Sequence, residues 1–564
     1  MKKLLTTFVC CFLVAGVCFS QASSPAYQKV RNTMFAIEKL YVDEVDENKL
    51  AEDAIKSLLG KLDPHSTYAN PEEVKEMNEP LDGNFDGIGI TFNMTTDTLY
   101  IIETIAGGPS QKVGIMPGDR IIAVNDTTIA GVKMPQKDVM RRLRGKKGTT
   151  VNVQILRRGV SELINFKITR DKIPIYSIEA SYMINPTIGY IRISRFAATT
   201  LSEFSEALGT LKKQGMKDLI LDLEYNGGGY LSAATGIANE FLGPNKLIVY
   251  TEGANQPRYK EESNARGSLE NGKLVVLVNE ASASASEIVS GAVQDWDRGV
   301  IVGRRTFGKG LVQRPIPLPD GSMIRLTVAR YYTPTGRCIQ KPYENGEKDA
   351  YNKDIIARYN NGEMLSADSI HFPDSLKYKT LTNQRTVYGG GGIMPDYFVP
   401  LDTTKYSDIY LRINAKGLVY KVALAEVDEN RKAILKKYPT IDDFKANYKV
   451  SEAVYASLLK SAKDEGIFGT DSTKIDLVKD ANTADSPTDL KETETTSSDK
   501  KFTKKDFDEA KPSMETYMKA LIARDVYDTA AFYKIMNDTN DIFQKGLEII
   551  NNDQLYNQLL ERGR

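Results

Sequence analysis

Histidine is scarce in this chain, with only His65 and His371 among 564 residues. A serine–histidine–aspartate triad needs a histidine base, and neither histidine sits in a motif together with a serine and an acid. His65 lies in a proline turn, where histidine is more often a structural hydrogen-bonding residue than a catalytic base. The sequence therefore argues against a hydrolase built on a histidine base.

Cysteine is scarce as well, and three of the four cysteines, Cys10, Cys11 and Cys18, lie in the N-terminal segment. Once that segment is removed only Cys338 is left, which excludes an intramolecular disulfide and a cysteine cluster for zinc. With only two histidines besides, metal-dependent hydrolysis lacks ligands. We expect no metal and no cofactor.

Neither sign of charge is in excess, since 74 basic residues balance 74 acidic ones and the formal net charge is zero. Nucleic-acid binding normally requires a basic stripe or patch. We therefore expect no nucleic-acid partner.

The N-terminus carries two lysines, an apolar stretch over residues 4–19 and the small-residue sequence Ser20-Gln21-Ala22. This pattern is typical of a secretory signal peptide, which we place at residues 1–22. We therefore expect an exported protein of the periplasm or cell envelope. The alternative is an uncleaved membrane anchor, which the short apolar run disfavours, and membrane association is expected only in that case.

The length allows two to four domains, and a hydrophobic fraction of 41% supports ordinary globular cores. We predict an α/β multidomain protein. After the signal peptide, its segments are a helical region at 23–80, a β-rich module at 81–172, a β/α core at 173–405 with a polar insertion at about 340–387, a helical region at 406–470, a flexible linker at 471–505 and C-terminal helices at 506–564.

The β-rich module joins short strands by glycine turns, and the string Gly114-Ile-Met-Pro-Gly-Asp-Arg-Ile-Ile-Ala-Val-Asn125 is its most specific element. The module resembles a PDZ domain. In such domains a peptide adds as a strand at the sheet edge and a glycine-containing loop holds its C-terminal carboxylate. Here that loop is Gly87, Ile88, Gly89 and Ile90. The alternative is that these glycines only permit a tight turn, and we favour peptide binding.

The core has an apolar strand at 274–278 that ends in small polar residues, followed by a predicted helix. A serine at such a turn lies where free backbone N–H groups can stabilise an oxyanion. Lys309, flanked by glycines, is suited to act as a base if burial lowers its pKa. From these residues alone, the alternative is equally weighted: Ser282, Ser284 and Ser286 only cap the helix, and Lys309 is a solvated loop charge.

A second glycine-rich loop, Asn226-Gly227-Gly228-Gly229, follows the predicted strand at 217–223. It lacks the GK[ST] ending of a P-loop and the GxGxxG spacing of a dinucleotide site. A loop whose backbone N–H groups bind an oxyanion is the better interpretation.

Several motifs together resemble the C-terminal processing peptidases, also called tail-specific proteases. In chain order they are LDPHSTY, GIGI with the PDZ string, DLxxNxGG, SASASE, TFGKG and GGIMPD, over residues 62–401. The resemblance implies a crotonase-like β/α protease core with an inserted PDZ domain. It also implies a serine endopeptidase whose substrates are proteins with unstructured, apolar C-terminal tails.

The resemblance also assigns residues. It implies Ser284 as nucleophile, Lys309 as general base and Gln313, one helical or loop turn beyond, as the residue that orients the lysine amine. The oxyanion hole would be the backbone N–H groups of Ala285 and Gly228. Ser282 and Ser286 would be cap and scaffold serines, and Asp295 would have a structural or substrate-orienting role.

Two features depart from the family pattern. Glu224 stands where relatives commonly have an arginine, which puts in doubt any contact attributed to that arginine. The polar insertion shows little periodicity, and its role is not evident from sequence.

The C-terminal part predicts a helical run at 407–437 and amphipathic helices after the linker, with Met514, Met518, Leu521 and Ile522 on one face. Such a face usually packs on a core, and homo-oligomerisation through these helices is the alternative. For the whole chain, a catalytically silent PDZ-based peptide-binding scaffold is the alternative to the protease.

Overall fold

The computed structural model describes residues 24–94, 97–264, 266–468 and 502–561. The predicted signal peptide lies outside this set, and so does the predicted linker as far as residue 501. Among the described residues, none of the helices combines the length and the apolar character that a membrane crossing requires.

The N-terminal region is helical because each helix has a side-chain cap at its start. Ser24 and Asp46 accept backbone N–H groups of the first turns, and Asn70 forms a capping box with Glu73. The elements are α1 (Pro25–Leu40), α2 (Glu47–Leu59), β1 (Thr67–Ala69) and α3 (Pro71–Asp82).

The second unit is an antiparallel sheet in the order β3-β4-β5-β7-β8, with β6 beside β5 and a separate β2–β9 pair. Helix α5 covers this sheet by burying Val139 and Leu143. The elements are β2 (Asn84–Gly87), β3 (Ile90–Asn93), β4 (Leu99–Thr104), α4 (Pro109–Lys112), β5 (Arg120–Val124), β6 (Thr127–Thr128), α5 (Gln136–Leu143), β7 (Thr150–Leu156), β8 (Ile164–Thr169) and β9 (Asp171–Pro174).

The core is a six-stranded sheet in the order β10-β11-β12-β15-β16-β21, parallel from β11 onwards. All residues of β15 are buried because helices cover both faces, which explains its continuous apolar run. The elements up to the second half of the core are β10 (Ile178–Met183), β11 (Ile188–Ile193), α6 (Thr200–Lys213), β12 (Asp218–Asp222), α7 (Leu231–Asn239), β13 (Leu247–Gly253), β14 (Gln256–Glu262), β15 (Leu274–Val278) and α8 (Ala285–Asp295).

The second half of the core completes this sheet and adds a smaller antiparallel one, β1-β18-β13-β14 with β17 on β18. The predicted polar insertion contains a helix, α9, in spite of its weak periodicity. The elements are β16 (Val300–Gly303), β17 (Leu311–Pro317), β18 (Met323–Tyr332), α9 (Lys348–Asn360), β19 (Lys377–Lys379), β20 (Thr386–Tyr388) and β21 (Tyr397–Phe398).

The C-terminal part is helical, as predicted, but its first run is not continuous. Gly417 has φ of 66° and separates two helices, a conformation that favours glycine. The elements are α10 (Asp408–Ala415), α11 (Leu418–Lys437), α12 (Ile441–Asn447), α13 (Glu452–Asp464), α14 (Lys504–Glu509), α15 (Lys511–Val526), α16 (Thr529–Met536), α17 (Asp541–Asn551) and α18 (Asp553–Glu561).

These helices pack within the chain. Met514, Met518, Leu521 and Ile522 are buried in a cluster shared by α10 to α16. Helix α17 lies against the core sheet, where Ile542 and Phe543 join a buried cluster with residues of β12, β15 and β16. Helices α17 and α18 therefore cover one face of the core sheet, while the helices before them pack mainly on one another. Oligomerisation through the C-terminal helices stays a prediction.

The β-rich module also rests on the C-terminal helices. Tyr100 and Ile102 of β4 pack against Leu424 of α11. Beside this contact, Arg120 of β5 forms an ion pair of 2.7 Å with Asp428 of α11. Helix α11 therefore links the module to the helical part of the chain.

Candidate active site

Ser284 lies at the turn between β15 and α8, with φ of 54° and ψ of −111°. A non-glycine residue in this region costs of order 1–3 kcal/mol and persists only where its surroundings hold it. The neighbouring serines supply part of that support. Ser282 Oγ donates to Leu223 O over 2.8 Å, and Ser286 Oγ donates to Asn226 O over 2.8 Å. Both serines thus tie the turn to the segment that follows β12.

A buried carboxylate, Glu287, joins Ser284 to the loop that carries Lys309. Its Oε2 accepts the backbone N–H groups of Ser284 and Lys309, over 2.7 and 2.9 Å. Its Oε1 accepts Thr306 Oγ1–H and Gly308 N–H, over 2.5 and 2.7 Å. Burial raises the pKa of Glu287, and these four hydrogen bonds oppose that rise.

The hydroxyl of Tyr331 joins the same two residues from the other side. Tyr331 Oη lies 3.1 Å from Ser284 O and 2.5 Å from Lys309 O. The backbones of Ser284 and Lys309, which are distant in sequence, are therefore held together at both their N–H and their C=O groups.

Neither Glu287 nor Tyr331 is among the site residues predicted from the sequence. For Glu287 a signal exists, because Ser284-x-x-Glu287 is the pattern of a capping box. For Tyr331, which comes from β18 of the second sheet, the local sequence contains no such signal.

The second glycine loop packs against the serine turn. Gly228 has φ of 104°, and a Cβ on it would lie 2.7 Å from Ser284 Cβ and 3.0 Å from Ala285 N. The structure thus brings the two predicted oxyanion donors next to each other and next to Ser284. The N–H of Gly228 donates to Asn226 Oδ1 over 2.9 Å, so this donor is engaged within its own loop.

Gln313 lies on β17 and not on a helical or loop turn, which corrects the expected local conformation. Its Nε2 donates to Leu311 O over 3.2 Å and to Thr327 Oγ1 over 3.3 Å. Thr327 Oγ1 in turn donates to Asp63 Oδ1 over 2.8 Å. Gln313 is therefore the start of a hydrogen-bonded chain that leads to the LDPHSTY motif.

That motif forms a tight turn around Asp63, whose carboxylate accepts the N–H groups of His65 and Ser66. His65 Nε2 lies 2.9 Å from the hydroxyl of Tyr351. Burial, followed by the charge of nearby Lys309, lowers the pKa of His65 to about 3. His65 is thus neutral at pH 7 and serves as a structural partner of Tyr351, as the sequence led us to expect.

The polar insertion supports the lysine loop. Arg358 of α9 donates to Thr306 O over 3.1 Å and to Arg305 O over 2.7 Å. Lys341 lies 4.0 Å from the ring centre of Phe307 and 4.1 Å from that of Tyr351. Burial lowers the pKa of Lys341.

Asp295 has a structural role. Both it and Arg337 are fully buried, and their side chains form an ion pair of 2.6 Å. The other carboxylate oxygen accepts the N–H and the hydroxyl of Thr335, over 2.9 and 2.8 Å. The pair fastens the end of α8 to the segment after β18.

The predicted peptide-binding loop lies between β2 and β3. Gly87 ends β2 and Ile90 begins β3, while Gly89 has φ of 73°. Ile88 is buried, and its carbonyl accepts the N–H and the hydroxyl of Ser110, over 3.0 and 2.7 Å. Within the described residues β3 is an end strand of its sheet, so this loop leads into a sheet edge.

Comparisons with known proteins agree with this architecture. Family models match for the activating protease CtpB N-terminal domain at residues 18–73, the PDZ domain at 87–168, peptidase family S41 at 187–346 and a family of unknown function (DUF8443) at 409–528. The S41 match includes both Ser284 and Lys309.

Two curated relatives are similar over the same part of the chain. A carboxy-terminal-processing protease of Bartonella bacilliformis is 37% identical over 305 residues, which cover 53% of this chain and 69% of that protein. The carboxy-terminal processing protease CtpA of Bacillus subtilis is 36% identical over 317 residues, which cover 56% of this chain and 67% of that protein. With its S41 core and its PDZ domain, the chain belongs to the family of carboxy-terminal processing proteases.

Proposed function

We propose that this chain is an exported serine endopeptidase that recognises C-terminal tails through its PDZ domain and cleaves by an acyl-enzyme mechanism. Ser284 is the nucleophile and Lys309 the general base. One observation carries the assignment: Glu287 and Tyr331 together hold the backbones of Ser284 and Lys309 side by side. A helix cap alone accounts for the bond between Glu287 and Ser284, but not for the bonds of Glu287 and Tyr331 to Lys309.

In the proposed reaction, the neutral amine of Lys309 takes the proton of Ser284 Oγ, which attacks the peptide carbonyl. The proton passes to the leaving amine as the peptide bond breaks. A water molecule, activated by the same lysine, then hydrolyses the acyl ester and restores the serine. A neutral lysine near pH 7 requires an environment that disfavours its charge. Gln313 is proposed to orient the amine.

The oxyanion of the tetrahedral intermediate would be bound by the N–H groups of Ala285 and Gly228. Removal of one such donor typically costs 10²–10³ in kcat. Gly228 N–H donates to Asn226 Oδ1 in this structure. When substrate binds, this N–H group must therefore either bind both Asn226 and the oxyanion or leave Asn226 for the oxyanion. The Asn226 side chain is itself held by Ile193 O over 2.8 Å, so the loop can change this contact without losing its anchor.

Tail recognition would use the edge of β3, where an extended peptide can add as a further strand. The carboxylate would be bound by the N–H groups of the loop Gly87 to Ile90. Through the contacts of β4 and β5 with α11, tail binding would change the position of the C-terminal helices.

The test uses the mature protein with an unfolded substrate that ends in an apolar tail, beside Ser284→Ala and Lys309→Ala variants. We expect cleavage by the wild type alone, and slower cleavage of the same substrate with a charged tail. Binding of the tail without cleavage would support the silent scaffold instead. Equal cleavage by wild type and both variants would refute the Ser/Lys assignment. Fractionation of cells that express the full chain tests export.

A further inference from the structure

Glu224, the residue that departs from the family pattern, contacts the C-terminal helices. Its side chain is 3% exposed, and its Oε1 accepts Asn540 Nδ2–H over 2.8 Å. Asn540 caps α17, since its Oδ1 accepts the N–H groups of Ile542 and Phe543. One side chain therefore both starts a helix of the outer layer and holds a residue of the core.

Glu224 begins the turn that leads into the oxyanion loop. Its backbone N–H donates to Asp222 Oδ1 over 2.8 Å, and its carbonyl accepts Arg192 Nη2–H over 2.9 Å. The next residue, Tyr225, has φ of 61° and donates its N–H to Asn279 Oδ1 over 3.0 Å. A strained non-glycine residue keeps its conformation only where its neighbours are fixed.

We infer that Glu224 and Asn540 are a positioning pair through which the C-terminal helical layer fixes the turn before Gly227–Gly229, and so the oxyanion donor at Gly228. The expected loss of kcat rests on the proposed function, whereas the expected loosening of the turn does not. It assigns a role in catalysis to a part of the chain that lies outside the S41 and PDZ matches.

The protonation state of Glu224 bears on this pair. Burial, with the charge of Asp222, raises the pKa of Glu224 to about 8, while Arg192, the hydrogen bond from Asn540 and Arg304 oppose the rise. The other titratable groups that face it are Tyr225 and Tyr406. Glu224 is thus mainly protonated at pH 7, and above pH 8 it becomes a buried anion beside Asp222. The folded chain loses stability as pH rises from the ordinary carboxyl pKa of 4.5 to about 8, because over that range Glu224 keeps its proton only in the folded state.

Three variants separate positioning from general stability. Asn540→Ser keeps a good helix cap but loses the amide donor. Glu224→Gln keeps an acceptor for Asn540 and is neutral at every pH. The matched control is Asn537→Ala, which removes one hydrogen bond of 2.8 Å from the same layer, to Tyr182 on β10 and not to Glu224.

The measurements are kcat and KM for the tailed substrate from pH 6 to 10, and hydrogen exchange of the peptide that covers residues 223–230. We expect Asn540→Ser to lower kcat by about tenfold, with KM changed less than about twofold, because the oxyanion donor is misplaced. The same variant should exchange faster in this peptide, and Asn537→Ala should change neither quantity. Wild-type activity should fall above pH 8, and Glu224→Gln should lack this fall.

Equal kcat and equal exchange in Asn540→Ser and Asn537→Ala would overturn the inference, and so would an unchanged alkaline fall in Glu224→Gln. If the wild type cleaves nothing, the proposed function fails, and hydrogen exchange alone then decides the positioning role.

Discussion

Replacement of Glu287 by glutamine should disturb the alignment of Ser284 with Lys309, the two residues of the proposed dyad. The carboxylate accepts four hydrogen bonds, two on each oxygen. Glutamine keeps one oxygen, and its NH₂ group would face either two backbone N–H groups or Gly308 N–H and the Thr306 hydroxyl, which can accept. Hydrogen bonds to a charged group contribute about 1.5–3 kcal/mol each, so one or two losses amount to about 1.5–6 kcal/mol.

Part of that loss is offset, because the variant no longer buries a charge. We expect a net decrease of about 2–4 kcal/mol in the free energy of unfolding, measured with urea. Since Glu287 Oε2 binds the N–H groups of both Ser284 and Lys309, kcat/KM should fall by at least about a hundredfold in the fraction that is folded.

The matched control is Asp295→Asn, which alters another buried carboxylate of α8. Asp295 binds Arg337 and Thr335 at the opposite end of α8 from Ser284. It should lose about 3 kcal/mol of stability, as expected for a broken buried ion pair, and keep kcat/KM per folded molecule. If Glu287→Gln also keeps kcat/KM, the argument that this carboxylate aligns the dyad is wrong.

Three further outcomes follow from the same geometry. Tyr331→Phe removes the hydroxyl that contacts the carbonyls of Ser284 and Lys309. It should lower kcat/KM by about tenfold and the free energy of unfolding in urea by only about 1 kcal/mol. Unchanged kinetics would show that this bridge is dispensable. Gly228→Ala places a Cβ 2.7 Å from that of Ser284 at φ of 104° and should abolish cleavage. The control is Gly107→Ala, at φ of 69° with no atom near the added Cβ. It should lower the free energy of unfolding by only about 1 kcal/mol and leave cleavage intact. His65 has a pKa of about 3 in the folded chain and an ordinary value near 6.5 in the unfolded chain. The unfolded chain therefore binds more protons between these values, so stability rises with pH across this window, and the free energy of unfolding should be about 3 kcal/mol lower at pH 4 than at pH 7. A His65→Gln variant with the same dependence on acid pH would contradict this expectation.

Local patterns in the sequence were enough to predict the main elements of the site. The apolar strand before Ser284, the glycines around Lys309 and the glycine loop after β12 are local features with a direct physical meaning. Because histidine is scarce, few residues other than lysine could be the catalytic base. The order of the sequence motifs along the chain indicated the family. The helical nature of the N-terminal and C-terminal parts was also evident, because periodicity and capping residues are local properties.

Only the tertiary structure decided what holds these residues together. Tyr331 reaches Ser284 and Lys309 from another sheet, and the polar insertion supports the lysine loop through Arg358. Neither contact has a local sequence signal, because each depends on residues brought together by folding. The same is true of Glu224, whose departure from the family pattern looked like an isolated charge reversal. Its partner, Asn540, is 316 positions away in the chain, and the contact exists because α17 packs on the core sheet beside the oxyanion loop.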